Sequence, residues 1–183
     1  MTPPALIIID VQRAIDEPVW GPRNNPDAES VIATLLQAWR SAKAPIFHVK
    51  HSSTSPESPY SPEKPSNAFK PEAMPLPNEP VVTKRTNSAF IGTSLEWDLR
   101  HAGLNRLVIA GVITNNSLEA SVRSAGNLGF DVWVPEDACW TVDKVDLSGH
   151  RWTAQQVHDL SLSNMHQEYA TVCRHTDALS LLE

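Results

Sequence analysis

Glycine is scarce in this chain, with seven in 183 residues, and no turn carries the glycine pattern that cradles dinucleotide or nucleotide phosphates. Cysteine is scarcer still. Cys139 and Cys173 have neither the spacing of a zinc site nor that of a redox pair, so free thiols are expected. No apolar run approaches the roughly 20 residues that cross a bilayer, and the ALIII of residues 5 to 9 is typical. The chain opens without a basic, apolar leader, so the expected location is cytoplasmic. Positive charge is short as well, 15 Lys and Arg against 21 Asp and Glu for a net charge of −6. Such a balance offers little to nucleic acid or to an anionic membrane, and neither is expected as a partner. What is present, 41% hydrophobic and 20% charged residues, suits one globular domain over residues 1 to 183 with a proper core.

Short apolar runs alternate with helical patterns along the chain. ALIII (5–9), PIFHV (45–49), VVT (81–83), RLVIAGV (106–112), FDVWV (130–134) and ATVC (170–173) read as strands. Residues 27 to 43 carry Val31, Leu35, Trp39 and Ala42 at helical spacing. Thr93 with Glu96, Asn116 with Glu119, and Thr153 with Gln156 have the spacing of capping boxes and predict three more helix starts. The alternation implies an α/β fold with a parallel sheet covered on both faces. In such sheets a site forms outside the carboxyl ends of the strands. One segment breaks the rhythm: residues 52 to 80 hold eight of the fifteen prolines and no helical period. A connection that long either covers a functional site or is a surface excursion. Residues 140 to 153 are irregular too, with Trp140 and Trp152 near their ends.

Three residues at strand ends could carry chemistry. Asp10 follows five apolar residues, so its carboxylate is poorly solvated and needs a partner, either as a functional group or as a cap on the next turn. Lys84 directly follows VVT. Taken alone it is an ordinary loop lysine, and its interest lies in being able to pair with Asp10. Ser117 stands in the first turn of the helix after strand four, where backbone N–H groups are unpaired and the helix dipole is positive. A helix-start serine is structural more often than catalytic. No histidine base is evident for it, and its surroundings are not those of a GxSxG nucleophile elbow.

The combination of IIIDVQ, VVTKRTNSAF and GVITNNSLEASVRSAGNLGFDVWVPEDA resembles the isochorismatase-like hydrolases, also called the cysteine hydrolase superfamily, over residues 5 to 173. The resemblance implies a Rossmann-like single domain with a six-stranded, mainly parallel sheet in the order 3-2-1-4-5-6 and helices on both faces. It implies that Asp10 acts as general base and acid and that Lys84 holds Asp10 and the substrate. The turn through Val112 and Ile113 would hold a non-proline cis peptide, aiming the N–H groups of Ile113 and Ser117 at a developing oxyanion. Gln12, Trp20, His51, Phe90 and Asn116 are expected along the pocket. A homo-oligomer, dimer or tetramer, is implied in the same way.

This chain departs from the family at one position: Ser117 stands where the catalytic cysteine is expected. A thiol with a pKa of about 8.5 is within reach of a carboxylate base. A serine hydroxyl is much less acidic. Cys139 and Cys173 lie elsewhere in the pattern and read as structural. The zinc-dependent nicotinamidases of the superfamily carry an aspartate and two histidines after strand two. FHVKHSST has His48 and His51 without that aspartate, so no metal and no cofactor are expected, and His48 reads as core.

The expected function is hydrolysis of a C–N bond in a small amide, imide or carbamoyl substrate through Asp10, Lys84 and Ser117. Two alternatives stand beside it. One is a non-catalytic binding or assembly protein of the same fold. The other is isochorismatase-type vinyl-ether hydrolysis by Asp10 alone.

Overall fold

The computed structural model describes residues 2 to 183. At its centre lies a parallel sheet in which β1 (Ala5–Ile9) pairs with β2 (Ile46–His51) on one side and β4 (Arg106–Val112) on the other. β3 (Val81–Lys84) extends the sheet beyond β2, and β5 (Asp131–Pro135) beyond β4. The far edge is the last strand of the chain, β9 (Thr171–Cys173), which gives the order β3-β2-β1-β4-β5-β9. That order matches the expectation, with one addition: the two-residue β6 (Cys139–Trp140) also pairs with β4. All five side chains of β1 are buried, as a central strand covered on both faces requires.

The helices α1 (Ala28–Ala42), α2 (Leu95–His101), α3 (Glu119–Asn127), α4 (Ala154–Met165) and α5 (His175–Ser180) cover the sheet. α1 buries Leu35 and Trp39 as expected, with Ile32 and Leu36 in place of Val31 and Ala42. Trp39 turns that face inward and donates its indole N–H to the Pro4 carbonyl at 2.8 Å. Of the three expected capping boxes only Thr153 with Gln156 forms. Thr93 donates to the Ala89 carbonyl at 2.6 Å, and Glu96 pairs with Arg100. Glu119 is taken by Arg123 and by Ser161. The irregular residues 140 to 153 contain a small antiparallel hairpin, β7 (Lys144–Val145) with β8 (Arg151–Trp152). Among the described residues no helix is long and apolar enough to cross a membrane.

Two backbone features shape the carboxyl edge of the sheet. Asp10 has φ +54°, a left-handed conformation that aspartate tolerates better than most residues. The chain thereby turns off the sheet as soon as β1 ends, with the Gln12 N–H bonded to the Asp10 carbonyl at 2.8 Å. Gly111 has φ +123°, and a Cβ there would lie 2.2 Å from the Ile9 carbonyl oxygen. Only glycine allows β4 to come this close to β1. After Gly111 the Val112–Ile113 peptide is cis, and a single π-type turn over Thr114–Leu118 leads into α3.

Candidate active site

Lys84 is the hub of the carboxyl edge. Its side chain is fully buried, and its ammonium lies 2.6 Å from Asp10 Oδ2, 3.2 Å from Ser117 Oγ, 3.1 Å from the Thr86 carbonyl and 3.3 Å from His51 Nδ1. All four neighbours can accept and an ammonium has three hydrogens, so they share them and the group has no donor to spare. β3, β2, β1 and the turn after β4 each bring one partner to this point. Three residues far apart in sequence, Asp10, Lys84 and Ser117, thus stand together.

The carboxyl of Asp10 is asymmetric. Oδ2 receives Lys84, while Oδ1 is buried with no hydrogen-bond partner among the described residues. Burial pushes this carboxyl up to about 6, against the opposing pull of the Lys84 ammonium. Burial likewise pulls Lys84 down from the ordinary lysine value, with Asp10 acting in the other direction. His51 is held at about 4 by burial and then by the Lys84 charge, so it is neutral near pH 7. Because Lys84 can only donate, His51 Nδ1 must accept, and the proton of the imidazole sits on Nε2.

A cavity of about 110 Å³ opens beside this cluster. Asp10, Ser117, Val112 and Ile113 form its floor, and His51, Trp20 and Asn116 line it as well. Tyr60, Ser58 and Asn87 complete the wall and were not singled out in the sequence. Tyr60 donates to the Asp10 carbonyl at 3.3 Å and meets the rings of Trp20 and His51 edge-on at 6.2 and 5.5 Å. Tyr60 and Ser58 belong to the proline-rich stretch, which therefore roofs the site instead of running over a remote surface.

Two residues expected along the pocket lie elsewhere. Gln12 is fully buried; its amide donates to the His51 and Asn67 carbonyls at 3.1 and 2.8 Å and accepts from the His51 N–H at 2.7 Å. It pins the end of β2, because a buried amide must spend its donors and acceptor on neighbouring backbone. Phe90 packs on Phe130 in the core at 5.8 Å between ring centres. His48 is buried as expected, yet it is not apolar in its contacts: Nε2 lies 2.9 Å from Glu79. His48 and His51 therefore serve different clusters. Cys139 is buried with its thiol on the Pro135 carbonyl at 3.3 Å, and burial raises its pKa.

Ser117 is fixed from behind. Its carbonyl accepts from the Ser121 hydroxyl at 2.7 Å, and that hydroxyl receives the Ala89 N–H at 3.0 Å. Thr114, at the start of the same turn, holds His158 Nδ1 at 2.9 Å. The carboxyl edge thus presents an unpartnered carboxylate oxygen, a buried cation and a serine hydroxyl around one small cavity, a combination suited to proton transfer and attack on a carbonyl.

Fold and site together define a Rossmann-like α/β domain with its polar groups at the carboxyl ends of the parallel strands. The Isochorismatase domain matches residues 4–177, and the chain belongs to the isochorismatase family. It is 37% identical over 168 residues to the uncharacterized isochorismatase family protein YrdC of Bacillus subtilis (strain 168), covering 92% of this chain and 90% of that one. It is 32% identical over 142 residues to a streptothricin hydrolase of Streptomyces noursei, covering 76% of this chain and 50% of that one. A crystal structure of an isochorismatase-family protein from Chromobacterium violaceum superposes with a TM-score of 0.97 at 53% identity, over 100% of this chain and 94% of the other.

Proposed function

We propose that the protein hydrolyses a C–N bond in a small amide, imide or carbamoyl compound. On this reading Asp10 is general base and then acid, Lys84 is the fixed cation between the reacting groups, and Ser117 is the nucleophile. The observation that carries the reading is the position of Lys84 Nζ, within bonding distance of both Asp10 Oδ2 and Ser117 Oγ. Negative charge moves between these two oxygens during attack, and a buried cation touching both stabilises it at either place.

In the first step Asp10 Oδ1 accepts the Ser117 hydroxyl proton while Ser117 Oγ bonds the carbonyl carbon. The carbonyl electron pair moves to its oxygen, which the N–H groups of Ile113 and Ser117 receive. Collapse breaks the C–N bond, and the proton on Asp10 passes to the departing nitrogen. Water then repeats the sequence on the acyl-serine and frees the acid. A carboxyl at about 6 is a stronger base than an ordinary carboxylate and can still return its proton near pH 7.

The same raised carboxyl supports a second reading. A serine hydroxyl is a poor partner for a carboxylate base, whereas Asp10 alone could protonate a vinyl ether before water adds. Ammonia and acid release from a panel of small amides and imides, measured for the unaltered chain, Ser117→Ala and Ser117→Cys, separates these. The amidohydrolase reading expects loss in Ser117→Ala and a gain of at least about tenfold in Ser117→Cys, since the thiol ionises far more readily. Vinyl-ether hydrolysis would survive Ser117→Ala. Ligand-induced stabilisation without turnover in any variant would instead indicate a binding protein.

A further inference from the structure

His51 is left without a role by the mechanism above, yet it is one of the most constrained side chains of the site. Its backbone is pinned on both sides by Gln12, and Asn67 adds a third bond to its carbonyl at 2.9 Å. Its ring stands edge-on to Tyr60, and its Nδ1 accepts from Lys84. Nε2–H, the only remaining polar group of the ring, has no partner among the described residues. It is also absent from the buried unpartnered atoms, which among the described residues are Asp10 Oδ1, His48 Nδ1 and Trp140 Nε1. The cavity is therefore bordered by an unpaired but covered acceptor, Asp10 Oδ1, and by a ring whose uncommitted donor is Nε2–H, on two groups bound to the same ammonium.

The sheet sets their order. Neighbouring strands run β2-β1-β4, so a molecule lying across their carboxyl ends meets His51, then Asp10, then Ser117. Asp10 must return its proton to the leaving nitrogen, so that nitrogen faces Asp10 while the scissile carbonyl faces Ser117. Whatever is bonded to the far side of the nitrogen then faces His51. A donor there is matched by an acceptor one bond beyond the nitrogen, which is a second carbonyl. The imidazole is neutral near pH 7 because burial and the Lys84 charge hold it down, so it donates as an uncharged N–H.

We propose that His51 is a specificity-determining residue that selects substrates whose scissile nitrogen carries a second carbonyl, that is, acyclic imides and acylureas. The inference rests on the hydrolytic reading above and narrows its substrate class. The chemistry is consistent with the serine: an imide nitrogen leaves more readily than an amine, which offsets a weak nucleophile. Size agrees too. A closed cavity of about 150 Å³ accepts a benzene ring, and this one, at about 110 Å³, has room for a chain of a few heavy atoms beside the cluster.

The test pairs diacetamide with N-ethylacetamide, which lacks only the second carbonyl oxygen, on the unaltered chain, His51→Leu and His51→Gln. Turnover is measured as kcat/KM and binding by calorimetry, with thermal melting to show that each variant is folded. His51→Leu is expected to lose about tenfold more on diacetamide than on N-ethylacetamide, the worth of one hydrogen bond between uncharged partners. His51→Gln, which keeps an N–H near the position of Nε2, is expected to recover most of that difference. Equal losses on both compounds, or no saturable binding of diacetamide by the unaltered chain, would overturn the inference. Hydrolysis of both compounds without any His51 dependence would overturn it while leaving the hydrolase reading intact. Binding of diacetamide that depends on His51 but leads to no turnover would sink the hydrolase reading and, with it, the substrate class inferred from it.

Discussion

β3 is flanked by one buried ion cluster at each end, and the two clusters behave in opposite ways. At its carboxyl end Lys84 joins Asp10, Ser117 and His51. Before its amino end Glu79 receives Arg40 through both carboxylate oxygens, at 2.7 and 2.9 Å, together with His48 at 2.9 Å and the Leu76 N–H at 2.8 Å. Every oxygen of Glu79 is thus bonded, and despite burial these partners draw its carboxyl down to about 2. Asp10 keeps an oxygen unpartnered and its carboxyl is pushed up to about 6. A fully satisfied cluster is a clasp; a cluster with an orphaned acceptor is held ready for something else. Volume points the wrong way here. The groove beside Glu79 and Arg40 measures about 800 Å³ and the cavity beside Asp10 about 110 Å³, yet the Glu79 carboxylate and the Arg40 guanidinium of the larger one are already engaged with each other.

The contrast breaks most sharply at Asp10. Asp10→Asn keeps the shape and removes the base, and a loss of about 10³-fold in kcat is expected, within the usual range for general acid–base groups. Glu79→Gln should leave kcat/KM within about twofold, since neither Glu79 nor its partners reach the small cavity. Steady-state rates of the two variants on one substrate check both statements; comparable losses would merge the clusters into one functional unit.

Stability sharpens the comparison next. Lys84→Met leaves Asp10 buried without its cation, and a cost of about 3 kcal/mol or more at pH 7 is expected from breaking a buried pair. The cost should shrink toward pH 5, where Asp10 can hold a proton instead. Glu79→Gln loses charge-assisted bonds to Arg40, whose side chain is 30% exposed, and about 2 kcal/mol is expected. Urea titrations at both pH values measure these. A Lys84→Met cost that does not fall with pH would mean that Asp10 is not the group left unpaired.

How much of this could be read in advance follows from where each residue sits in the chain's periodicity. Asp10, Lys84 and Ser117 end or follow apolar strands, so strand-end logic located them, and the parallel order of the sheet made their meeting legible. Tyr60, Ser58 and Asn87 come from stretches without a period, where no pattern states which side chain turns inward. Gln12 and His51 show the same limit on a smaller scale. Both are polar residues next to the site, but one is consumed by backbone bonds and the other keeps a free donor, a distinction made only by the tertiary contacts of residue 67 and of Lys84. Glu79 lies among prolines, and nothing local links it to His48 and Arg40, which are respectively 31 and 39 positions away in sequence.

The finest difference between the clusters is the sign of their pH dependence. Asp10 has a folded value of about 6 against 3.8 in the free residue, so the folded state holds its proton longer than the unfolded chain. Below pH 3.8 the two states are alike at this residue. As pH rises from there toward 6 the unfolded chain ionises first, and stability falls by up to about 1.4 kcal/mol per pH unit. Glu79 runs the other way, with a folded value of about 2 against 4.5. Its contribution is complete above pH 4.5 and is lost as pH falls toward 2. Between about pH 4.5 and 6 Asp10 therefore contributes a falling component. Against it runs the rising one of His51, whose folded value of about 4 lies below the ordinary 6.5. Below about 4.5 Glu79 contributes a rising one. Chemical denaturation across pH 3 to 7 should show the stability of Asp10→Asn rise relative to the unaltered chain between about pH 4 and 6, and the advantage of the unaltered chain over Glu79→Gln shrink below about pH 4.5. If Asp10→Asn instead removed the acid-side loss, Asp10 would be a satisfied carboxylate like Glu79, and the case for its catalytic readiness would fall with it.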